Sequence, residues 1–284
     1  MTEPVAMDLL GYETGSPPLQ RITAGGRVIG YRESGHDQKQ AVVLLHGLGS
    51  AAASWGLQFV ALPRHGLHVI GWDAPGYGGS DALADPAPAA ADYAAALDAF
   101  VAALGLSRFV LVGHSMGTLI AASYARHYPS RVEKLVLASV STGYAQAPEP
   151  LKTERTQQRL DDMAAFGPEG LAETRAPQTL SPQAPKRALI HVRAVMARVR
   201  PDGYAQAVRM LARTDIFDDA PKITVPTLVL CGSADTVTPE ESCKRIAAAI
   251  PGARYRTLYG PGHACYIETP GPFDDALLSF IGEK

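Results

Sequence analysis

Along this chain, short strand-like runs alternate with longer stretches in which apolar residues return every three or four positions. The runs fall at 41–45 (AVVLL), 68–72 (HVIGW), 109–112 (FVLV), 134–138 (KLVLA), 227–231 (TLVLC) and 255–258 (YRTL), each bounded by turn residues. Continuous runs of this length mark strands covered on both faces, whereas a half-exposed strand would alternate. Helical patterns between most of them imply parallel pairing through right-handed crossovers. One such helix carries Tyr93, Leu97, Phe100, Val101 and Leu104 after the Pro/Ala-rich connection ADPAPAAAD, and the C-terminal one carries Phe273, Leu277, Phe280 and Ile281. Both sets recur at the spacing of a buried helical face. Ahead of them, QRITAGGRVIGYRES sets two β-rich segments on either side of Gly25-Gly26, a hairpin signal. The pattern predicts an α/β fold: a mostly parallel, eight-stranded sheet with helices on both faces.

The alternation stops between residues 143 and 221, which hold helical patterns and several Pro-marked stops but no strand-like run. Connections in compact domains are usually short. This segment therefore reads as a helical lid inserted over one end of the sheet, within a core formed by residues 1–142 and 222–284.

The stretch FVLVGHSMGTLIAASYARHYP places Gly-His-Ser-Met-Gly between a strand-like and a helix-like run. A sharp strand-to-helix turn forces strained angles on Ser115 and brings strand and helix together, so Gly113 and Gly117 must lack bulky side chains. The product is an exposed hydroxyl at a helix N-terminus, where free N–H groups, that of Met116 among them, would stabilise a developing negative charge. A serine hydroxyl is a weak nucleophile without a base. His263, in LYGPGHACYIETP, sits in a Gly/Pro loop just after the last strand-like run, and Asp235, in LVLCGSADTVTP, takes the matching place after the preceding one. The order Ser115, Asp235, His263 is one in which a nucleophile, base and orienting acid are built on such a sheet.

A second donor to an oxyanion is expected from VVLLHGLGS, where Gly47 and Gly49 free the backbone and the N–H of Leu48 is assigned the role. His46 is expected to brace this loop and His114 to pack beneath the serine turn. Asp73 also follows a strand-like run and reads as a turn-organising residue, which leaves Asp235 as the orienting acid. Trp55, Tyr204 and Tyr266, with Met116 and Leu48, are candidates for lining an acyl pocket, and any of them could equally be core. Arg155, Arg159, Arg193, Arg198 and Arg209 in the lid could each clamp a substrate carboxylate at two points, although arginines on helices usually sit on solvated faces.

These motifs together resemble the α/β-hydrolase superfamily over nearly the whole chain. The resemblance is carried by His46-Gly47-Leu48-Gly49, WDAPGYGGSD at 72–81, GHSMG at 113–117, GSADTVTP at 232–239 and the GPGH that ends at His263. Within that superfamily the chain is most similar to the lidded bacterial group containing 3-oxoadipate enol-lactonases, carboxylesterases, meta-cleavage C–C hydrolases and cofactor-free haloperoxidase-like perhydrolases. The segment PDGYAQAVRMLARTD at 201–215 is also similar to that group's last lid helix. Serine at 115 argues against dehalogenases and epoxide hydrolases, which carry aspartate at this turn. The resemblance implies a cofactor-free serine hydrolase that cleaves a carboxylic ester or (enol-)lactone through an acyl-enzyme. Two other readings stay open at this point: hydrolysis of a C–C bond in a vinylogous keto-acid by the same triad, and a ligand sensor that keeps the triad without turnover.

Composition narrows the partners. With 284 residues, 46% hydrophobic and 19% charged, the chain can bury a sizeable core. A net charge of -2, with acids and bases mixed along the sequence, offers no basic stripe for nucleic acid. Cys231, Cys243 and Cys265 are odd in number and lack C-x-x-C spacing, which suits reduced thiols. The opening MTEPVAMDLLGYETG lacks the basic start and apolar segment of a secretion signal, so a cytoplasmic location is expected. Residues 109–125 are the most membrane-like stretch, yet they contain His114, Ser115 and two glycines and fall short of the roughly 20 residues a span needs. The histidines and cysteines lack metal-ligand spacing. The expected partner is a small-molecule substrate, with no cofactor, metal, membrane or nucleic acid; a homo-oligomer is left open.

Overall fold

A computed structural model describes residues 16–283 of the chain. Its eight strands are β1 (Gln20–Ala24), β2 (Arg27–Ser34), β3 (Gln40–Leu45), β4 (Leu67–Trp72), β5 (Phe109–His114), β6 (Val132–Ala138), β7 (Thr227–Gly232) and β8 (Arg254–Leu258). They form one sheet in the order β1-β2-β4-β3-β5-β6-β7-β8. The β1–β2 and β2–β4 pairs are antiparallel and the remaining pairs parallel. Strand β5 outruns its apolar stretch by two residues, because Gly113 and His114 still pair with Leu137 and Ala138 before the chain turns.

The helices are α1 (Gly56–Ala61), α2 (Ala90–Ala103), α3 (Met116–His127), α4 (Glu149–Arg175), α5 (Lys186–Met196), α6 (Pro201–Arg213), α7 (Glu240–Ala249), α8 (Cys265–Glu268) and α9 (Pro270–Gly282). Alternate strand residues enter two separate cores. Val43, Leu45 and Leu111 pack under α2, α3 and α7, through Phe100, Leu119 and Ile246. Val42, Leu44 and Val112 pack under α1 and α9, through Phe59 and Phe273. Full burial of such a side chain contributes about 1.5–3 kcal/mol, so the central strands are apolar on both sides rather than alternating. Edge strand β8, by contrast, exposes Arg254 and Arg256.

Because β3 lies between β4 and β5, the connections leaving the carboxyl ends of neighbouring strands diverge there, and that crevice is where ligands bind in open α/β sheets. Helices α4, α5 and α6 are inserted between β6 and β7. At their base Gly143 bridges Asp215, and the N–H groups of Tyr144 and Ile216 donate to Leu211 and Thr142 carbonyls at 2.9 Å each. Helix α4 breaks at Gly167 (φ 63°), just before Pro168, whose ring could not continue a helix hydrogen bond. Helix α6 is latched to the core: the Gln206 amide donates to the Leu83 carbonyl at 3.0 Å and accepts from the Leu83 N–H at 3.1 Å.

Among the described residues no helix is long and apolar enough to cross a membrane, and the membrane-like stretch is strand β5 followed by α3. The opening 15 residues, read above for a secretion signal, lie outside the described residues.

Candidate active site

Ser115 joins β5 to α3 with φ 52° and ψ -118°, a region that L-residues rarely occupy. Its N–H donates to the Ala138 carbonyl at 3.0 Å, and its carbonyl accepts from the Thr118 N–H at 2.9 Å, so the strain is held from both sides. A Cβ on Gly113 would stand 2.5 Å from the Gly117 carbonyl oxygen, and one on Gly117 would stand 2.6 Å from that of Leu45. The turn thus exists only because both flanking residues are glycine.

Asp235 follows β7 and His263 follows β8. His263 Nδ1 lies 2.9 Å from Asp235 Oδ2. The other carboxylate oxygen accepts from the N–H groups of Val237 (2.9 Å) and Thr238 (2.8 Å), and Oδ2 also accepts from Thr238 Oγ1 at 2.7 Å. Burial pushes the Asp235 carboxyl up, but the adjacent His263 and the donors from Thr238 outweigh it and hold the group down at about 2. An ionised Asp235 can only accept, so His263 carries its proton on Nδ1 and leaves Nε2 with a free lone pair. The carbonyl of His263 is itself pinned by two donors, His114 Nε2 and Ser139 Oγ, each at 2.9 Å.

That contact also fixes His114, whose Nε2 must bear the hydrogen. Burial and the neighbouring His263 push its imidazole down to about 3, so it is neutral. Its ring centroid lies 4.9 Å from that of His263 and 4.8 Å from that of Tyr266, beneath the serine turn. His46 spans two loops: Nδ1 donates to the Gly47 carbonyl at 2.9 Å and Nε2 accepts the Ala74 N–H at 3.1 Å, with burial pushing its pKa down. Asp73 is occupied in the same region, accepting from Ala52 N–H at 2.8 Å and Gly79 N–H at 3.1 Å. It organises the loop after β4.

Above Ser115 opens a cavity of about 570 Å³, within the ordinary range for small-molecule sites. The core side presents Ser115, Met116, Leu48 and His263; the lid side presents Met163 and Leu171 of α4, Met196 of α5 and Tyr204 of α6. The first N–H groups of a helix have no intrahelical acceptor, which leaves that of Met116 free beside the serine.

The sequence profile of the alpha/beta hydrolase fold matches residues 40–270 of the chain. The protein belongs to the α/β-hydrolase family. Its relatives include a 2-hydroxy-6-oxononadienedioate/2-hydroxy-6-oxononatrienedioate hydrolase of Paraburkholderia phymatum, 29% identical over 253 residues that cover 86% of this chain and 88% of the relative. A pimeloyl-[acyl-carrier protein] methyl ester esterase of Vibrio vulnificus is 29% identical over 253 residues, covering 85% and 94%. Among solved structures, the enol-lactonase from Burkholderia xenovorans LB400 superposes with a TM-score of 0.84 at 25% identity, over 93% of this chain and all of that one (100%).

In this α/β hydrolase the three aromatic residues singled out in the sequence part company. Tyr204 lines the main cavity. Tyr266 lines a side cavity of about 40 Å³ together with Ser115 and His114, and donates to Ser54 Oγ at 3.0 Å. Trp55 must be corrected: it is fully buried, its ring centroid 3.9 Å from that of Tyr266 and 6.1 Å from that of Phe273, so it supports the wall from behind instead of meeting substrate.

Three supporting residues escape sequence reading. Thr238 and Ser139 have been described above; the third, buried Glu268, accepts from the N–H groups of Gly262 (3.0 Å) and Ser181 (2.9 Å) and so ties the His263 loop to the lid. Only Thr238 carries a local signal, an aspartate three residues earlier in the turn that leads into α7. Among the described residues no group of three or more His, Cys, Asp or Glu side chains is placed to hold a metal, and all three cysteines are buried and free.

Proposed function

We propose that this α/β hydrolase cleaves a carboxylic ester or lactone of a small molecule through an acyl-enzyme on Ser115. The observation that carries the reading is the His263–Asp235 pair. Its Nδ1 is committed to an ionised carboxylate, its Nε2 is free, and it faces the same cavity as a serine held at a strained strand-to-helix turn.

From this arrangement the steps follow. His263 Nε2 takes the hydroxyl proton as Ser115 Oγ attacks the carbonyl carbon, while Asp235 holds the imidazole in that tautomer and stabilises the imidazolium. The N–H groups of Leu48 and Met116 receive the oxyanion, each donor being worth about 10²–10³ in rate in comparable sites. Expulsion of the leaving alcohol or enol takes the proton back from His263, and water then attacks the acyl-enzyme by the same route in reverse. His46 and Gly47 hold the Leu48 loop, and neutral His114 supports the His263 carbonyl without exchanging protons. The three buried free thiols suit a reducing compartment, and we place the protein in the cytoplasm with a small molecule as its partner.

The test is a panel of aryl esters of increasing acyl length, 3-oxoadipate enol-lactone and a vinylogous keto-acid, with product analysis. Acid and alcohol released from esters or lactone would support the reading. Turnover of the keto-acid alone would replace it with C–C hydrolysis, and saturable binding with no product from any compound would replace it with ligand sensing.

A further inference from the structure

Five lid arginines looked equivalent in the sequence, and the fold separates them, leaving Arg198 exposed just after α5. Arg193 pairs with Glu173 at 3.0 Å. Arg209 is half-buried and reaches the Pro86 carbonyl at 3.3 Å. Arg155, one turn before Arg159 on α4, borders the same cavity but stays exposed to solvent, where a charge needs no partner. Arg159 and Met163, at i and i+4 on that helix, turn inward and line the cavity that holds Ser115 and His263.

Other part-buried arginines meet carboxylates: Arg126 with Asp219 at 2.7 Å, Arg131 with Asp98 at 2.8 Å and Arg175 with Asp162 at 2.6 Å. Arg159 has no carboxylate ion-pair partner among the described residues, and Asp162, the acid one turn on, is taken by Arg175. Its neighbours are instead phenols. Tyr144 and Tyr204 line the same cavity beside it, each near enough to favour its charge against the cost of burial. The Tyr144 hydroxyl is buried and has no partner beyond its approach to Arg159, and the buried Tyr77 hydroxyl, beside the Gly49 backbone, lies within the electrostatic reach of Tyr204 and Arg159. Phenols give this part-buried guanidinium only neutral acceptors, so its charge is left without a matching anion. A carboxylate has two oxygens that together accept about four hydrogen bonds, enough for both arms of a guanidinium and for phenols at its side.

We propose that Arg159, with Tyr144 and Tyr204, forms a carboxylate-recognition site in the catalytic cavity, so that the preferred ester or lactone carries a second, free carboxylate. This rests on the hydrolase reading for its catalytic half only, since the anion site can be measured by binding alone. Beyond Arg159 the cavity wall combines apolar Met163, Leu171 and Met196 with polar Glu154, Arg155 and Gln158, and its apolar part suits a short aliphatic or unsaturated chain between the two ends.

The experiment compares kcat/KM for aryl half-esters of C4–C8 dicarboxylic acids, and for aliphatic esters of hydroxy acids, with that for neutral isosteres, in the native protein and in Arg159→Met and Arg159→Lys. In parallel, adipate is titrated calorimetrically into each protein. The native enzyme should favour the acids, and Arg159→Met should lower the acid-to-neutral ratio about 10- to 150-fold, mainly through KM. Arg159→Lys should restore part of it, because the charge remains while the two-point fork is lost. A ratio shared by native and Arg159→Met proteins, or equal adipate binding in both, would overturn the carboxylate site. Arg159-dependent adipate binding with no ester or lactone cleaved would keep the site and overturn the hydrolase reading. Ester cleavage indifferent to residue 159 would do the opposite.

Discussion

Replacing Asp235 with asparagine removes one charge and keeps the shape of the side chain, so it tests whether this residue sets the His263 tautomer. The amide has two ways to sit. With its oxygen in the Oδ1 place it keeps the N–H bonds from Val237 and Thr238, and its NH2 then faces His263 Nδ1. The flipped amide would leave both backbone donors facing an NH2, at about 1–3 kcal/mol each. Even the lower figure, about 2 kcal/mol for the pair, limits the flipped form to a few per cent. The favoured form turns Nδ1 into an acceptor and moves the imidazole proton to Nε2, where it can no longer accept from Ser115. Loss of the correct tautomer and of the carboxylate's support for the imidazolium together should lower kcat on the order of 10⁴-fold near neutral pH. The assay is steady-state hydrolysis of the best aryl ester, with circular dichroism to confirm folding and Asp73→Asn as the comparison. Asp73→Asn disturbs a loop and should affect stability more than kcat. The reasoning fails if Asp235→Asn keeps a tenth or more of native kcat. The same carboxylate gives a stability signature. Its pKa is depressed on folding, from 3.8 to about 2, so it contributes about 2 kcal/mol that is present above pH 4 and lost as pH falls through 2. Denaturant titrations across that window should show a shallower pH slope in Asp235→Asn.

Gly117→Ala should push the new methyl against the Leu45 and His46 carbonyls, lowering stability by about 1–3 kcal/mol. Because the displaced strand end carries the Leu48 loop, kcat should fall by up to about 10²; a variant with native melting and native kcat would contradict the account of the turn. Asp274 is a separate case: burial, only partly offset by the donor from Gln58, raises its carboxyl to about 7. Its folded pKa exceeds its unfolded one, so its stability contribution is complete below pH 4 and lost as pH rises toward 7. Asp274→Asn should therefore be more stable than native protein at pH 8, by up to about 4 kcal/mol. The gain should vanish at pH 4, and equal melting at pH 8 would refute it.

What the sequence discloses depends on whether the physical cause is local. The doubly covered strands are legible because burial on both faces removes polar residues from Val42 to Leu45 and from Phe109 to Val112 alike. The serine turn is legible because close approach of two backbones demands Gly113 and Gly117. Trp55 misleads for the opposite reason: an aromatic beside the Leu48 loop signals burial, and only the packed α9 and Tyr266 decide that it faces the core. Glu268, through Ser181, and Ser139 and His114, through His263, act on backbone atoms far away in sequence, and no spacing rule reports such pairs. The lid arginines are the clearest instance, since helical periodicity marks faces but not which face will meet the cavity.

The measurement that tests the central claim most directly is intact-protein mass spectrometry of samples quenched during ester turnover, native beside Ser115→Ala, with peptide mapping of any adduct. The account predicts one acyl group per chain, located on Ser115, and neither adduct nor turnover in Ser115→Ala. Undiminished hydrolysis by Ser115→Ala, or an acyl group mapped to another side chain, would contradict it.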